Sequence, residues 1–331
     1  MRTVLITGAA RGLGFASAAT LYRRGWRVLA AMRSVEAGLA ALRAETGAAA
    51  DDPRLLGVRL DLCDPESVAA AAAEILARAG APDAIVHNAG ISAAGTVEET
   101  PPELWQRMFA THVFGPAQLT AALLPGLRAA GRGRIVLISS AGGVRGMPMI
   151  SAYSAAKGAL ERFGESLAGE VAPYGIGVTV LVVGVFDTEI ITDDGTFAFR
   201  DFDGPYGALH ATVDRRGRAA MRIARPPAVF AARLATALDD TAPYARHAVG
   251  ADAAALVASN RALPAAAMHQ VVRLAMGLPR YRALRAGGIR LGLATRALLR
   301  AAELLPAPVT RRITLPLLRI HPTQLPTEAA R

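Results

Sequence analysis

Two side chains in this sequence combine a weak acid and a compact cation at helical spacing. Tyr153 and Lys157 lie four residues apart in the segment Ser-Ala-Tyr-Ser-Ala-Ala-Lys-Gly-Ala-Leu. On a helix, that spacing puts the phenol and the ammonium on one face. Of the 37 basic residues in the chain, Lys157 is the one lysine, although arginine supplies a surface charge equally well. The pair therefore indicates a proton-transfer site, with a solvated surface lysine as the alternative.

A phenol beside an ammonium can exchange a proton with an alcohol. A free tyrosine has a pKa near 10, so fewer than about one in a thousand is ionised at pH 7. The charge of Lys157 favours the phenolate, and Tyr153 can then take or return the proton of a substrate hydroxyl. Ser140, thirteen residues before Tyr153, is a candidate hydrogen-bond partner of the substrate oxygen. The sequence offers no ligand cluster for a metal.

Alternating strands and helices must position these residues. Continuous Val, Ile and Leu runs predict strands buried on both faces, at residues 3–7, 27–31, 55–60, 84–87, 134–139 and 177–183. Alanine-rich stretches between them predict helices near 13–24, 35–46, 66–79, 102–130 and 151–173. The alternation predicts an α/β fold, a Rossmann-like doubly wound parallel sheet with helices on both faces. Ligands of such sheets bind beyond the carboxyl ends of the strands.

A glycine-rich turn directly follows the first predicted strand. It reads Thr-Gly-Ala-Ala-Arg-Gly-Leu-Gly over residues 7–14 and leads into a helix. Gly8, Gly12 and Gly14 permit a tight turn, close approach of a pyrophosphate and close packing of helix on strand. The free N–H groups and the positive dipole end of the helix favour phosphates. The turn therefore predicts a dinucleotide cofactor.

These motifs, in this order, resemble the classical short-chain dehydrogenases/reductases, and the overall pattern is similar to their hydroxysteroid and retinol dehydrogenase branch. The matching segments lie within residues 1–190: the glycine turn, Asp61, His-Asn-Ala-Gly at 87–90, Ser140, Tyr153 with Lys157, and Val-Gly-Val-Phe-Asp-Thr at 183–188. The resemblance implies that Ser140, Tyr153 and Lys157 are catalytic. It implies a cofactor site made of Gly8, Arg11, Gly12, Leu13, Gly14, Arg33, Asp61, Asn88, Ala89, Gly90, Tyr153, Lys157, Val185 and Thr188.

Two positions depart from the family pattern. Val183 replaces a proline, so the loop that leads to Thr188 is expected to lose some rigidity. His112 stands where relatives have an asparagine that helps to hold a water between the lysine and solvent. His112 is therefore a fourth candidate catalytic residue, able to act through either ring nitrogen. The alternative is that His112 only packs and the backbone holds the water.

The charges after the second strand favour NADP over NAD. NAD-selective members of the family usually place an aspartate where Met32 stands, to bind the ribose 2′-hydroxyl. Without that carboxylate, Arg33 can pair with a 2′-phosphate in a forked geometry. Arg11, in the glycine turn, is a second basic residue on the same side. We therefore predict NADP, with NAD as the less favoured cofactor.

The predicted substrate region is apolar. Segment 141–151 is expected to line one wall with Val144, Met147 and Met149. An insertion at about 189–225 is predicted to form a lid, or else a surface loop pinned by its aromatic residues Phe197, Phe199, Phe202 and Tyr206. With the resemblance, this predicts an oxidoreductase that interconverts a lipophilic alcohol and its ketone or aldehyde by hydride transfer. A non-catalytic NAD(P)-binding sensor or scaffold is the alternative.

The charge of the 331-residue chain concentrates at its end. Residues 280–331 hold ten arginines and two glutamates, which divides the chain into a catalytic domain, 1–279, and a basic amphipathic helical extension. The extension is predicted to pack on the body or a partner subunit, or alternatively to contact an anionic membrane surface. Nucleic-acid binding is not expected, because Tyr281 is its one aromatic residue.

Cysteine content and hydropathy bear on location. Cys63 is the one cysteine, and no secretory or membrane-spanning segment is apparent. We therefore predict a cytoplasmic protein, with peripheral membrane association as the alternative. The family resemblance implies a homo-oligomer.

Overall fold

The computed structural model describes residues 1–191, 196–280 and 283. The chain divides into two compact units, Met1–Met268 and His269–Arg331. The predicted basic extension over 280–331 lies outside the described residues except for Arg280 and Ala283. Its helix, its packing and the predicted boundary at residue 279 stay predictions.

A parallel sheet forms the centre of the first unit. The strands are β1 Thr3–Thr7, β2 Arg27–Met32, β3 Leu55–Arg59, β4 Ala84–His87, β5 Ser92–Gly95, β6 Gly133–Ser140, β7 Ile176–Val183, β8 Thr196–Phe199 and β9 Tyr244–Val249. Within the described residues, seven of them pair in the order β3-β2-β1-β4-β6-β7-β9, and every pairing is parallel. Parallel strands need crossover connections, which the helices supply.

Helices cover both faces of this sheet. The helices of the described residues are α1 Gly12–Arg23, α2 Val35–Thr46, α3 Pro65–Ala79, α4 Pro102–Phe109, α5 Gly115–Ala130, α6 Ala141–Val144, α7 Ser151–Val171, α8 Gly207–Met221, α9 Pro227–Ala237, α10 Ala251–Ala262 and α11 Ala265–Met276. On β1, Val4 and Ile6 join a core with α1, α2 and α9, whereas Leu5 joins a second core with α3, α5 and α7. Successive strand residues point to opposite faces, so the predicted doubly wound fold is confirmed.

The structure corrects two predicted elements. The helix predicted over 102–130 is interrupted by a π-helical turn, Ala110–Phe114. Pro116 explains the break, because it has no N–H to donate to the carbonyl of His112. The edge strand β9 was not predicted, since Arg246 and His247 interrupt its apolar run. A polar edge strand is common where one strand face meets solvent.

The predicted insertion at 189–225 contains β8 and α8. Strand β8 pairs in parallel with β5 as a separate two-stranded ribbon. Strand β5 follows the loop after β4 and meets segment 141–150 through the Gly95 N–H, which donates to the Met149 carbonyl at 2.8 Å. Through β8 and β5, the insertion therefore contacts the segment that follows the carboxyl end of β6.

Candidate active site

The three predicted catalytic side chains meet at the carboxyl end of β6. Ser140 is the last residue of β6, and Tyr153 and Lys157 lie on the first two turns of α7. Ser140 is close enough to Tyr153 to lower the pKa of its phenol, and Nζ of Lys157 lies 5.8 Å from the centroid of the Tyr153 ring. Ser140 pairs with Val183 across the sheet, so the 184–188 loop begins beside it.

Lys157 is buried against the strand. Lys157 is 4% exposed, and its Nζ donates a hydrogen bond to the carbonyl of Ile138 at 2.7 Å. Burial lowers the pKa of Lys157 to about 7, because the ammonium loses its hydration. The lysine therefore changes its protonation state near neutral pH.

The pKa of Tyr153 moves in the direction opposite to the sequence-based expectation. Burial raises the pKa of Tyr153, and hydrogen bonding by Ser140 lowers this pKa by a smaller amount. Desolvation of the phenolate thus outweighs the effect of Ser140. The protonated phenol is the resting form of Tyr153 at neutral pH.

His112 lies on the π-helical turn with its ring edge against the ring of Tyr153. The two centroids are 5.6 Å apart, and His112 is 1% exposed. Its Nε2 lies 2.9 Å from the carbonyl oxygen of Ile91, and within the described residues its buried Nδ1 has no partner. Burial and then the charge of Lys157 lower the pKa of His112 well below its usual value. The Ile91 N–H also lies 3.3 Å from Nε2, but the shorter contact is the one with the carbonyl. We therefore assign the proton to Nε2, which leaves Nδ1 as an acceptor.

The loop after β4 is fastened to the glycine turn. Nδ2 of Asn88 donates to the carbonyl oxygens of Thr7 at 2.9 Å and Gly8 at 3.3 Å. The backbone N–H groups of Asn88 and Ala89 both donate to Oγ1 of Thr7 at 3.0 Å. These bonds place residues 88–90 beside the turn, and Gly90 there faces the ring of His112.

The glycine turn forms a cradle at the start of α1. Gly8 and Gly12 have φ values of 69° and 57°, which favour glycine. A Cβ on Gly14 would overlap the Gly8 carbonyl, and one on Gly12 would lie 3.5 Å from Cγ2 of Thr188. Leu13 packs its side chain toward the core, leaving the first N–H groups of the helix for phosphates. The residues present therefore fit a dinucleotide cofactor.

The other predicted cofactor residues lie at the edges of this cradle. Arg33 is exposed just after β2. Arg11 makes an exposed ion pair with Glu189, with 3.1 Å between Nη1 and Oε2, and such pairs are weak. Asp61 accepts a hydrogen bond from the Cys63 N–H at 2.9 Å. Arg11 and Arg33 are thus both reachable from solvent.

An apolar cluster lies beside Tyr153. Tyr153 and Phe199 of β8 both pack against this cluster, whose buried members are Ala93, Leu104, Met108, Ala152 and Ala156. Next to it, Met149 is 6% exposed and has a φ of 72°, a strained value for a residue with a side chain. Val144, by contrast, packs on the sheet core. The insertion therefore contributes an aromatic ring to the surroundings of Tyr153.

Two adjacent glutamates anchor the insertion. Glu99 accepts hydrogen bonds from Nε2 of His210 at 2.7 Å and from the Asp201 N–H at 3.1 Å. The hydroxyl of Tyr206 donates to Glu98 at 2.8 Å. Burial raises the pKa of Glu99, but the hydrogen bond from His210 and those from backbone N–H groups outweigh it and hold the pKa at about 2. Glu99 is therefore a charged acceptor at neutral pH.

Comparison with known proteins identifies the family. The family model described as short chain dehydrogenase matches residues 2–196. The chain belongs to the short-chain dehydrogenases. It is an oxidoreductase, and the predicted family and enzyme class are confirmed.

Individual relatives of this short-chain dehydrogenase cover most of its length. It is 37% identical over 232 residues to dehydrogenase/reductase SDR family member 7B of Bos taurus, a match that covers 67% of this chain and 68% of that protein. A short-chain dehydrogenase from Streptomyces avermitilis matches with a TM-score of 0.70 and 35% identity, covering 84% of this chain and 98% of that one. A metagenomic short-chain oxidoreductase in complex with NADP matches with a TM-score of 0.58 and 26% identity, covering 75% and 97%.

The dehydrogenase restrains its 184–188 loop with residues that sequence reasoning missed. The Val185 N–H donates to Oδ2 of Asp252 at 2.7 Å, and Oδ1 of Asp252 pairs with Arg225 at 2.7 Å. The Asp187 N–H donates to the Arg225 carbonyl at 2.9 Å. These bonds hold the loop that Val183, in place of proline, was expected to loosen. No local pattern marks Asp252 or Arg225, since each is far from the loop in sequence.

The dehydrogenase shows no membrane-spanning helix in the part that the structure describes. None of the helices in that part is both long enough and apolar enough to cross a bilayer.

Proposed function

We propose that this short-chain dehydrogenase interconverts a lipophilic alcohol and its ketone or aldehyde, using NADP and the side chains of Ser140, Tyr153 and Lys157. One observation carries the proposal. Tyr153 and the buried Lys157, whose Nζ is 5.8 Å from the centroid of the Tyr153 ring, lie beside Ser140, at the carboxyl end of β6 where ligands of such sheets bind.

The cofactor would lie between the glycine turn and the 184–188 loop. The N–H groups at the start of α1 would bind its pyrophosphate, and Arg33, with Arg11, its 2′-phosphate. When bound, the cofactor supplies or accepts the hydride. The NADP complex of the metagenomic relative supports the proposal. The residue at position 32 also supports it, because Met32 has no carboxylate to bind a ribose 2′-hydroxyl.

The protein's own residues would handle the proton. In the reductive direction Oη of Tyr153 donates its proton to the substrate oxygen while Oγ of Ser140 donates a hydrogen bond to the same atom. The phenolate left behind is stabilised by the charged form of Lys157. Alcohol oxidation runs the same proton transfer backward.

His112 would take the place of the family's asparagine. Its Nδ1 is a buried acceptor without a partner in the described residues, and its ring lies against Tyr153. We propose that Nδ1 accepts a hydrogen bond from a water shared with Lys157. The lowered pKa of His112 keeps the ring neutral and suited to that role.

A lipophilic substrate suits the surroundings of Tyr153. The apolar cluster there takes in Phe199 of the insertion, and binding sites for apolar ligands are lined mainly by such side chains. Homo-oligomer formation, a cytoplasmic location and contact of the 280–331 tail with a membrane surface stay predictions.

A fluorescence titration with NADPH and with NADH tests the cofactor assignment without knowledge of the substrate. We expect tighter binding of NADPH, and for Arg33→Gln a loss of roughly 10- to 100-fold in NADPH affinity, because a hydrogen bond to a charged group is worth about 1.5–3 kcal/mol. NADH affinity should be unchanged. The control is Arg132→Gln, an exposed arginine before β6, which should change neither affinity.

Each other outcome has a definite meaning. Tighter binding of NADH than of NADPH would overturn the assignment of NADP as cofactor but would leave the enzyme class intact. Binding of neither nucleotide would contradict both the catalytic proposal and the alternative of an NAD(P)-binding sensor or scaffold.

A further inference from the structure

Glu161 is a buried acid on α7, one turn after Lys157. It is 1% exposed. Its Oε1 accepts a hydrogen bond from Oγ of Ser139 at 2.7 Å. Its Oε2 accepts from Nε and Nη2 of Arg246 at 3.1 and 2.8 Å. A buried carboxylate is costly unless it is paired and hydrogen-bonded, and here both oxygens have donors.

These contacts join four elements around the end of β6. Ser139 belongs to β6, Arg246 to β9 and Glu161 to α7. The carboxylate also packs against α6, because a Cβ on Gly143 would lie 2.6 Å from Oγ of Ser139 and 3.0 Å from Oε1 of Glu161. Since α6 directly follows Ser140, the carboxylate contacts the chain on both sides of that serine.

Two hydrogen bonds fix α7 relative to β6 at successive positions. Lys157 donates to the Ile138 carbonyl at 2.7 Å, and one turn later Glu161 accepts from Ser139. The next residue of β6 is Ser140, and Tyr153 lies one turn before Lys157 on α7. A shift of the helix along the strand would therefore change the separation of the Ser140 and Tyr153 oxygens.

We propose that Glu161 is a positioning residue: acting through Ser139, it holds Ser140 and Tyr153 at the separation that proton transfer requires. This proposal rests on the proposed function. Arg246 neutralises the carboxylate, and burial is the cause of the lowered pKa of Lys157. The contribution of Glu161 is therefore geometric and not a charge effect on the lysine.

Two substitutions of Glu161 separate geometry from charge. In Glu161→Gln the amide oxygen can accept from Arg246 while its N–H donates to Oγ of Ser139, so both contacts survive without the charge. Glu161→Asp keeps the charge but is one methylene shorter and cannot reach both partners. We expect kcat within about threefold of wild type for Glu161→Gln. For Glu161→Asp we expect a fall of roughly 10- to 100-fold, since a misplacement of about 1 Å can cost about 10²-fold.

The assay follows NADPH oxidation with a panel of medium-chain carbonyls, beginning with decanal and 2-decanone. KM for the carbonyl and the affinity for NADPH should stay at wild-type values, because Glu161 touches neither proposed ligand site. Should Glu161→Asp fail to fold, Ser139→Ala removes only the hydrogen bond and leaves the pair with Arg246. It should lower kcat in the same direction.

A matched control shows whether loss of stability alone lowers kcat. Arg134 is a buried arginine near the other end of β6, where Nη1 bonds Oγ1 of Thr179 at 3.3 Å and the Ala242 carbonyl at 2.8 Å. Arg134→Gln should lower the melting temperature without lowering kcat per folded molecule. Equal losses of kcat in Arg134→Gln and Glu161→Asp would overturn the proposal.

Further outcomes are equally decisive. Wild-type kcat in both Glu161→Asp and Ser139→Ala, or a Glu161→Gln variant as impaired as Glu161→Asp, would overturn the positioning role. Turnover that survives Tyr153→Phe would instead overturn the proposed function. If no carbonyl of the panel reacts, amide hydrogen exchange over 139–144 decides: faster exchange in Glu161→Asp and Ser139→Ala than in Glu161→Gln supports the role, and equal exchange overturns it.

Discussion

Helices α7 and α8 are held in opposite ways. Helix α7 buries ten of its 21 residues, including Lys157 and Glu161. Helix α8 buries Gly207 and His210 of its 15 residues. The first helix is packed into the core of the sheet, while the second depends on polar anchors such as Glu99 and Glu98.

The difference separates the proposed reacting groups from the insertion, which is predicted to form a lid over them. A site works when its side chains are locked by packing and supporting hydrogen bonds, which α7 provides. Segments with few buried apolar contacts open at low free-energy cost, which suits a cover that admits a substrate. The comparison therefore predicts that changes on α7 affect kcat and changes at the insertion affect KM.

The largest effect is expected for Tyr153→Phe. Loss of the phenolic proton should reduce kcat by roughly 100- to 10,000-fold, while the affinity for NADPH, measured by fluorescence, stays the same. The control is Tyr206→Phe in the insertion, where the hydroxyl bonds Glu98 at a solvent-exposed position. Its kcat should equal that of the wild type. A comparable loss of kcat in both variants would contradict the predicted difference between α7 and the insertion.

A second effect concerns stability and pH. The pKa of Lys157 is about 7 in the folded protein, below its unfolded value, so the folded state binds fewer protons between pH 7 and about 10.5. The burial penalty is thus complete below pH 7 and is relieved as pH rises. Wild type should gain roughly 3–5 kcal/mol in unfolding free energy relative to Lys157→Met between pH 6 and pH 10.

Urea unfolding at the two pH values measures this difference. Arg132→Met, a change at an exposed cation, is the control and should show a difference from wild type that does not depend on pH. A Lys157→Met difference that is the same at both pH values would show that Lys157 keeps an ordinary pKa in the folded protein.

The smallest effect is expected at the anchor of the insertion. Glu99→Gln replaces the charged acceptor of His210 with a neutral one and should raise the KM for a bulky carbonyl about three- to tenfold, with little change in kcat. Limited proteolysis within 196–221 should become faster. A lowered kcat with an unchanged KM would show that the insertion takes part in the reaction step and does not act by covering the substrate site.

Because the pKa of Glu99 is about 2, below its unfolded value, its anchoring contribution is present above pH 4.5 and is lost as pH falls toward 2. Proteolysis of the wild-type insertion, followed with an acid protease, should therefore accelerate over that range. In Glu99→Gln the acceleration should be absent.

The sequence by itself determined the family, the doubly wound sheet and the catalytic candidates. The glycine turn after β1, the Tyr153–Lys157 spacing and the position of Ser140 at a strand end are local patterns. Short-range geometry is enough to interpret them, because strand and helix periods fix which neighbouring residues share a face. One further signal was present, since Glu161 is an acid one turn after Lys157 on the buried face of α7.

Only the tertiary structure decided the rest. Arg246, which pairs with Glu161, is 85 residues away in sequence, and Asp252 reaches the Val185 N–H across 67 residues. The rise in the pKa of Tyr153 and the orientation of His112 likewise depend on what surrounds each ring. Pairing and desolvation are set by groups brought together from distant parts of the chain, and no spacing along the sequence encodes them.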